Sequence, residues 1–232
     1  AISAERQNPV YQRGLAAALL AAGRLSDAQT VLGERLQHDP TDADASLMMA
    51  RTLAHEGRTR QAIAFYHRAI FGEWLEPQRN RRVEARFELV DLLAAEHGRQ
   101  ELLAELLPLE TEAPTDPATR KRIARLFLVA GSPSHAIAIF RDLVRADRDD
   151  ADGYEGLGEA ELQQDNYRSA RRAFATALAL RPGDQRIASS LDLCDRALAL
   201  DPTQRGASPS EQFRRSAALL EKIEKLAEGR QR

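Results

Sequence analysis

A shift of 34 residues lays the chain on itself. It superposes Leu15-Ala16 on Met49-Ala50, Gly23 on Gly57, Ala28 on Ala62 and Leu32 on Tyr66. The same shift superposes Ile123-Ala124 on Leu157-Gly158, Ala136 on Ala170 and Phe140 on Phe174. Such a period marks an array of small units, each burying its apolar face only against its neighbours. Ala62 and Ala136 are 74 residues apart, two periods and six residues, so one further repeat with a short insertion lies between the two matched pairs. Five repeats are expected over 9–184, at about 9–42, 43–76, 77–116, 117–150 and 151–184, the third divergent. A tail at 1–8 precedes them. A capping helix, a linker and a final amphipathic helix fill 185–232.

Within a repeat the pattern reads helix, short turn, helix. Leu15, Leu19 and Leu20 recur at helical spacing, Gly23 ends the helix, and Leu25, Ala28, Val31 and Leu32 form a second stripe that stops at Asp39-Pro40. Aromatics are only 5% of the chain, and alanine and leucine outweigh the β-branched residues, which suits helices rather than sheets. Asn8-Pro9, Asp116-Pro117 and Ser132-Pro133 each set a capping side chain before a proline at the first helical position. The small residues Ala16, Ala50, Ala124 and Gly158 in first helices, and Ala28, Ala62, Ala136 and Ala170 in second helices, stand where two helices must approach closely.

These residues resemble the tetratricopeptide repeat family. The fifth repeat carries Tyr154, Leu157, Gly158, Tyr167, Ala170, Phe174, Ala177 and Pro182. The first (Leu15, Ala16, Gly23, Ala28, Leu32, Pro40), the second (Met49, Ala50, Gly57, Ala62, Tyr66, Ala69) and the fourth (Ile123, Ala124, Gly131, Ala136, Phe140) follow the same order. The middle repeat, near Val83 to Glu112, departs: Leu103 stands where the second helix's alanine belongs, and Glu73 to Arg82 contains the insertion. The resemblance implies an all-α, right-handed α-solenoid with C-terminal capping helices, whose first helices line a concave groove.

After Asp184 the period breaks off. Gln185 to Leu200 reads as one more helix with Ile187, Leu191, Leu193, Leu198 and Leu200 available for burial, followed by a linker at Thr203 to Ala207. Ser208-Pro209-Ser210-Glu211 forms a capping box for a last helix whose Phe213, Leu220, Ile223 and Leu226 share a face. That helix either folds onto the end of the array or docks on a partner.

No catalytic constellation is expected, and no cofactor. The five histidines (His38, His55, His67, His97, His135) have no second ligand at metal-binding spacing, and Asp147 to Gly153 lacks the third acidic ligand, the glycine and the closing glutamate of a calcium loop. Cys194, the sole cysteine, precludes an intrachain disulfide framework and reads as a buried, inert thiol. With 33 basic against 35 acidic residues, net charge -2, nothing recommends nucleic acid as a partner. No apolar run approaches the ~20 residues that span a bilayer. The first residue is Ala1, which is expected to follow a removed signal peptide, a membrane anchor or another leader. The preference for arginine over lysine points to a bacterium, in the cytoplasm, or periplasmic or membrane-anchored through that preceding segment.

By the family's geometry the groove-facing candidates are Arg13 and Ala17 in the first repeat, and Leu47, Met48, Arg51 and His55 in the second. Lys121, Arg122, Arg125 and Leu128 follow in the fourth, then Asp152, Glu155, Glu159 and Leu162 in the fifth, and Arg186 and Ser189 beyond it. Leu47, Met48 and Leu128 offer apolar anchors, and the arginines suit acidic side chains. Lys121 and Arg125, one turn apart, either hold a carboxylate together with Arg186, similar to the family's clamp on a C-terminus, or pair with Glu155 and Glu159. The expected function is a non-catalytic adaptor for a peptide or protein segment. The alternatives are a structural or self-assembling subunit, homo-oligomeric or membrane-associated, and a regulatory domain of a longer enzyme.

Overall fold

The structure, a computed structural model, describes residues 8–74, 79–200 and 208–229, with side chains up to Leu220 in the last stretch. The expected tail 1–8 (save Asn8), the middle of the insertion, the linker at Thr203 to Ala207, and the side chains of Ile223 and Leu226 lie outside the described residues. Twelve helices are described: α1 Pro9–Ala21, α2 Leu25–His38, α3 Ala43–His55, α4 Thr59–Phe71, α5 Arg79–Ala95, α6 Arg99–Glu112, α7 Pro117–Val129, α8 Pro133–Ala146, α9 Ala151–Gln163, α10 Tyr167–Leu180, α11 Gln185–Ala199 and α12 Pro209–Gly229. The only β feature among the described residues is an isolated bridge between Asp42 and Glu73. The chain is an all-α helical-repeat solenoid, and it divides into two compact units, 1–114 and 115–232.

In the first unit α1 packs on α2, α3 on α4 and α5 on α6, and α2–α3 and α4–α5 join successive pairs. In the second, α8 packs on α7, α10 on α9 and α11 on α10. Ala28, Ala62, Ala136 and Ala170 are all 0% exposed, as residues at a close helix contact must be. The turn between the two helices of every pair needs one residue in the left-handed region. Gly23, Gly57 and Gly131 supply it at φ 72° or 73°, and His97 (φ 59°) and Asp165 (φ 57°) take the same position without glycine's freedom.

That position corrects the register of the middle repeat. Five residues after the left-handed residue comes Ala28, Ala62, Ala136 or Ala170, and in the third pair it is Leu102, buried at 1%, rather than Leu103, which is half-buried. Caps were expected at three Xaa-Pro starts. Asn8 accepts from the Val10 amide at 2.9 Å and Asp116 from the Thr119 amide at 3.0 Å. Ser132 does not cap α8: its hydroxyl lies 2.8 Å from Nδ1 of His135, whose ring stacks on Phe127. Ser208 accepts from the Glu211 amide at 3.3 Å, starting α12.

Behind α10, Ile187 and Cys194 of α11 join Ala170, Phe174 and Ala177 in one core cluster. Burial raises the Cys194 pKa, which keeps the thiol protonated. Leu193 is not buried there. It lies off the face that carries Ile187 and Cys194 and stays exposed.

Candidate functional site

In the second unit α7 and α9 run side by side, and their C-terminal halves enclose an open groove of about 540 Å³. Arg125, Leu128 and Val129 of α7 and Glu159, Leu162 and Gln163 of α9 line it. These are the same three repeat positions taken from consecutive repeats, since each α7 residue is 34 places before its α9 counterpart. Spacing of three and four residues puts each trio on one helix face. The lining is mainly apolar, with a cation at one rim and a carboxyl at the other. Val129 is 47% exposed, an aliphatic side chain held open to water rather than in the core.

Arg125 is exposed, and its charge reaches Glu159 and Asp152 without an ion pair to either. Burial pushes the Glu159 carboxyl above its ordinary range. The neighbouring Glu155 charge adds to that, while Arg186 and Arg125 draw it back. Glu155 itself is buried and held by Arg186 at 2.6 Å and Arg181 at 3.4 Å. Arg181 also binds Asp152 at 2.5 Å, and that hydrogen bond, chiefly, lowers the Asp152 pKa.

The structure therefore brings Arg125, Leu128, Glu159 and Leu162 together and assigns several other candidates elsewhere. Lys121 does not pair with Glu155 or Glu159. Its ammonium lies 2.5 Å from Asp150, the residue whose side chain also caps α9 by accepting from the Gly153 amide at 3.0 Å. Arg122 is exposed on the next position of α7, and Arg186 is committed to Glu155. Val129 and Gln163 were missed by the sequence reading, although both lie one turn beyond residues it had named.

In the first unit the candidates fall into a different pattern. Arg13 lies 3.6 Å from Asp42 and 3.5 Å from Asp44, joining α1 to the start of α3. Leu47 is 0% exposed and is no anchor for a ligand: α3 is flanked by α1, α2 and α4, which cover most of its circumference. Met48 is half-buried, and Arg51 and His55 are exposed. Arg51 makes a bidentate pair with Glu88 of α5, at 2.6 Å and 2.9 Å, and the Tyr66 hydroxyl donates to the same carboxylate at 3.0 Å. Among the described residues no group of three or more His, Cys, Asp or Glu is placed to hold a metal ion. No described helix is long and apolar enough to cross a membrane.

Models of the tetratricopeptide repeat match residues 19–71 and 121–185, in both halves of the chain. The chain belongs to the tetratricopeptide repeat family. Members of this family are generally non-catalytic, and its repeats mark the chain as a protein-interaction scaffold. Among solved structures it is similar to YrrB, described as a TPR protein with an unusual peptide-binding site. The TM-score is 0.63 at 16% identity, over 83% of this chain and 96% of that one. It is similar also to the MamA protein, at TM-score 0.57 and 15% identity over 79% and 96% of the two chains. At these identities the likeness is one of fold. In sequence it is 30% identical over 168 residues to Superkiller complex protein 3 of Mus musculus, and the match covers 65% of this chain and 10% of that protein. The chain thus spans about a tenth of that relative's length.

Proposed function

We propose that the chain binds a peptide or protein segment in the α7–α9 groove, as a non-catalytic adaptor. The observation that carries this reading is the conjunction of Val129, open to solvent, with Leu128, Leu162 and an Arg125 without an ion pair among the described residues, at one concavity. An apolar ligand side chain fills the space between Leu128, Val129 and Leu162, and an acidic group beside it meets Arg125. Glu159, with its raised pKa, accepts a backbone or basic donor on the opposite rim. The solved relative described as having a peptide-binding site supports the same use of the fold. Arg51 and His55, with the half-buried Met48, offer a second surface on α3 of the other unit, with Arg51 already engaged by Glu88.

The test is a photo-cross-linking residue at position 163, on the rim. Peptides selected by display against the whole chain should cross-link there, with an acidic residue adjoining an apolar one in their consensus. Peptides that bind without cross-linking at 163 would contradict the reading.

A structural or self-assembling role is the second reading. It is favoured by α12, along which no other helix packs among the described residues, and on which Phe213 is 76% and Leu220 61% exposed. Light scattering of the whole chain and of a Phe213→Glu/Leu220→Glu variant tests it, because loss of a dimer in the variant would support it and an unchanged monomer would overturn it.

A further inference from the structure

α1 and α3 hold the same place in successive helix pairs, 34 residues apart, and each packs on its own second helix, α2 or α4. α3 in addition has α1 and α2 packed in front of it. The difference in burial between the two helices therefore isolates the face that a pair in front covers. Ala16 and Ala50 are both 0% exposed, and Ala17 and Arg51 are both exposed. Tyr11, however, is 54% exposed where Ala45 is 0%, Leu15 is 37% exposed where Met49 is 7%, and Ala18 is exposed where Thr52 is buried. Spacing of four and three residues sets Tyr11, Leu15 and Ala18 on one side of α1, with the exposed Gly14 between them.

Charge holds the joint where the front pair meets α3. Arg13 of α1 and Arg35 of α2 both reach Asp42, the cap of α3, and Arg13 reaches Asp44 as well. The same places in α1 are taken by Asn8 and Val10, so arginines brought to this face would find no acid. Between Pro9 and Ala21 the sole charged residue is Arg13, already turned to Asp42 and Asp44. The face is uncharged, and an occupant that carries charge would bury it without a partner. α12 fails that condition with Glu211, Arg214 and Arg215, whereas α1 itself meets it.

We propose that a second copy of this chain covers the face, the two α1 helices packing antiparallel about a two-fold axis level with Gly14 and Leu15. In that register Tyr11 of one copy faces Ala18 of the other, and Leu15 faces Gly14. Each large side chain fills the space left by a small one, and the small residues let the axes approach to about 8 Å. A two-fold contact uses one patch twice, and this patch complements itself in size as well as in charge. The contact uses neither the α7–α9 groove nor the exposed face of α12.

Sedimentation equilibrium of the full chain should give a dimer. Tyr11→Glu/Leu15→Glu should give a monomer with unchanged circular dichroism, while Phe213→Glu/Leu220→Glu stays dimeric. Single cysteines test the register. Copies carrying Tyr11→Cys mixed with copies carrying Ala18→Cys should form a disulfide-linked heterodimer on mild oxidation. Tyr11→Cys by itself should not, because the antiparallel register sets its two copies about 10 Å apart along the axis, beyond a disulfide's reach. A monomeric wild type, a dimer that survives Tyr11→Glu/Leu15→Glu, or a dimer lost in Phe213→Glu/Leu220→Glu would overturn the proposal. So would Tyr11→Cys homodimers that form as readily as the mixed pair.

Discussion

The ring of Phe174 packs against the bare Cα of Gly158, so closely that a β-carbon there would fall 2.7 Å from its Cδ1 and Cε1. Gly156 meets the Phe140 ring more closely still, at its Cζ tip. The two glycines let α9 sit between both rings, and they cost the helix its usual propensity. Gly158→Ala should therefore destabilise the fold by about 1–3 kcal/mol despite alanine's better helix propensity. Urea denaturation measures it, and a variant as stable as the wild type would contradict the contact.

At His97 the backbone adopts the left-handed conformation that three other repeats give to glycine. The side chain is exposed and, among the described residues, makes no hydrogen bond that would compensate. His97→Gly should raise stability by about 0.5–1 kcal/mol, the strain relieved less glycine's extra unfolded-state entropy. Asp165→Gly should gain less, because the Asp165 carboxylate accepts from the Tyr167 hydroxyl at 3.2 Å. The thermal midpoints of the two variants give the comparison.

How far the fold could be read from sequence follows from these same turns. Wherever glycine marked the left-handed residue and alanine followed five places on, the helix pairs were legible. In the middle repeat His97 holds that position and Gly98, at φ -76°, stands beside it. Taking the glycine as the marker shifts the register by one, which put Leu103 where Leu102 belongs. Groove residues were partly legible because Arg125, Leu128, Glu159 and Leu162 follow from helical spacing alone. Charge pairing was not, since Lys121 finds Asp150 and Glu155 finds Arg186 across helices, and no single-helix periodicity encodes that choice.

Charge is also buried in that middle repeat. Arg86 of α5 and Glu105 of α6 are both under a tenth exposed and lie 3.6 Å apart, with Glu112 3.8 Å from the same guanidinium. Removing one partner strands the other. Arg86→Met should cost about 3–5 kcal/mol, whereas Arg51→Met, at an exposed pair, should cost about 0.2–1 kcal/mol. The double variant Arg86→Met/Glu105→Leu should recover most of the first loss, and a double variant no better than the single would show that the charge is not the cause.

Glu159 gives the groove a pH signature. Its folded-state pKa is above the ordinary 4.5, so between those two values the folded chain keeps a proton that the unfolded chain has released. Stability from this group is therefore complete below the ordinary value and is lost as pH rises through the folded one. Glu159→Gln should match the wild type at pH 4 and exceed it at pH 7 in denaturation midpoint. A difference that does not change with pH would contradict the raised value.

The most direct test of the account is the affinity of one selected acidic-apolar peptide, by fluorescence anisotropy, for the wild type, Arg125→Glu and Val129→Glu. Both side chains are exposed, so neither variant should lose helicity. The account predicts at least a tenfold loss of affinity in each and none in an Arg168→Glu/Arg172→Glu control on α10. Equal affinity across all four proteins would mean that the peptide binds elsewhere and that the α7–α9 groove is not the functional site.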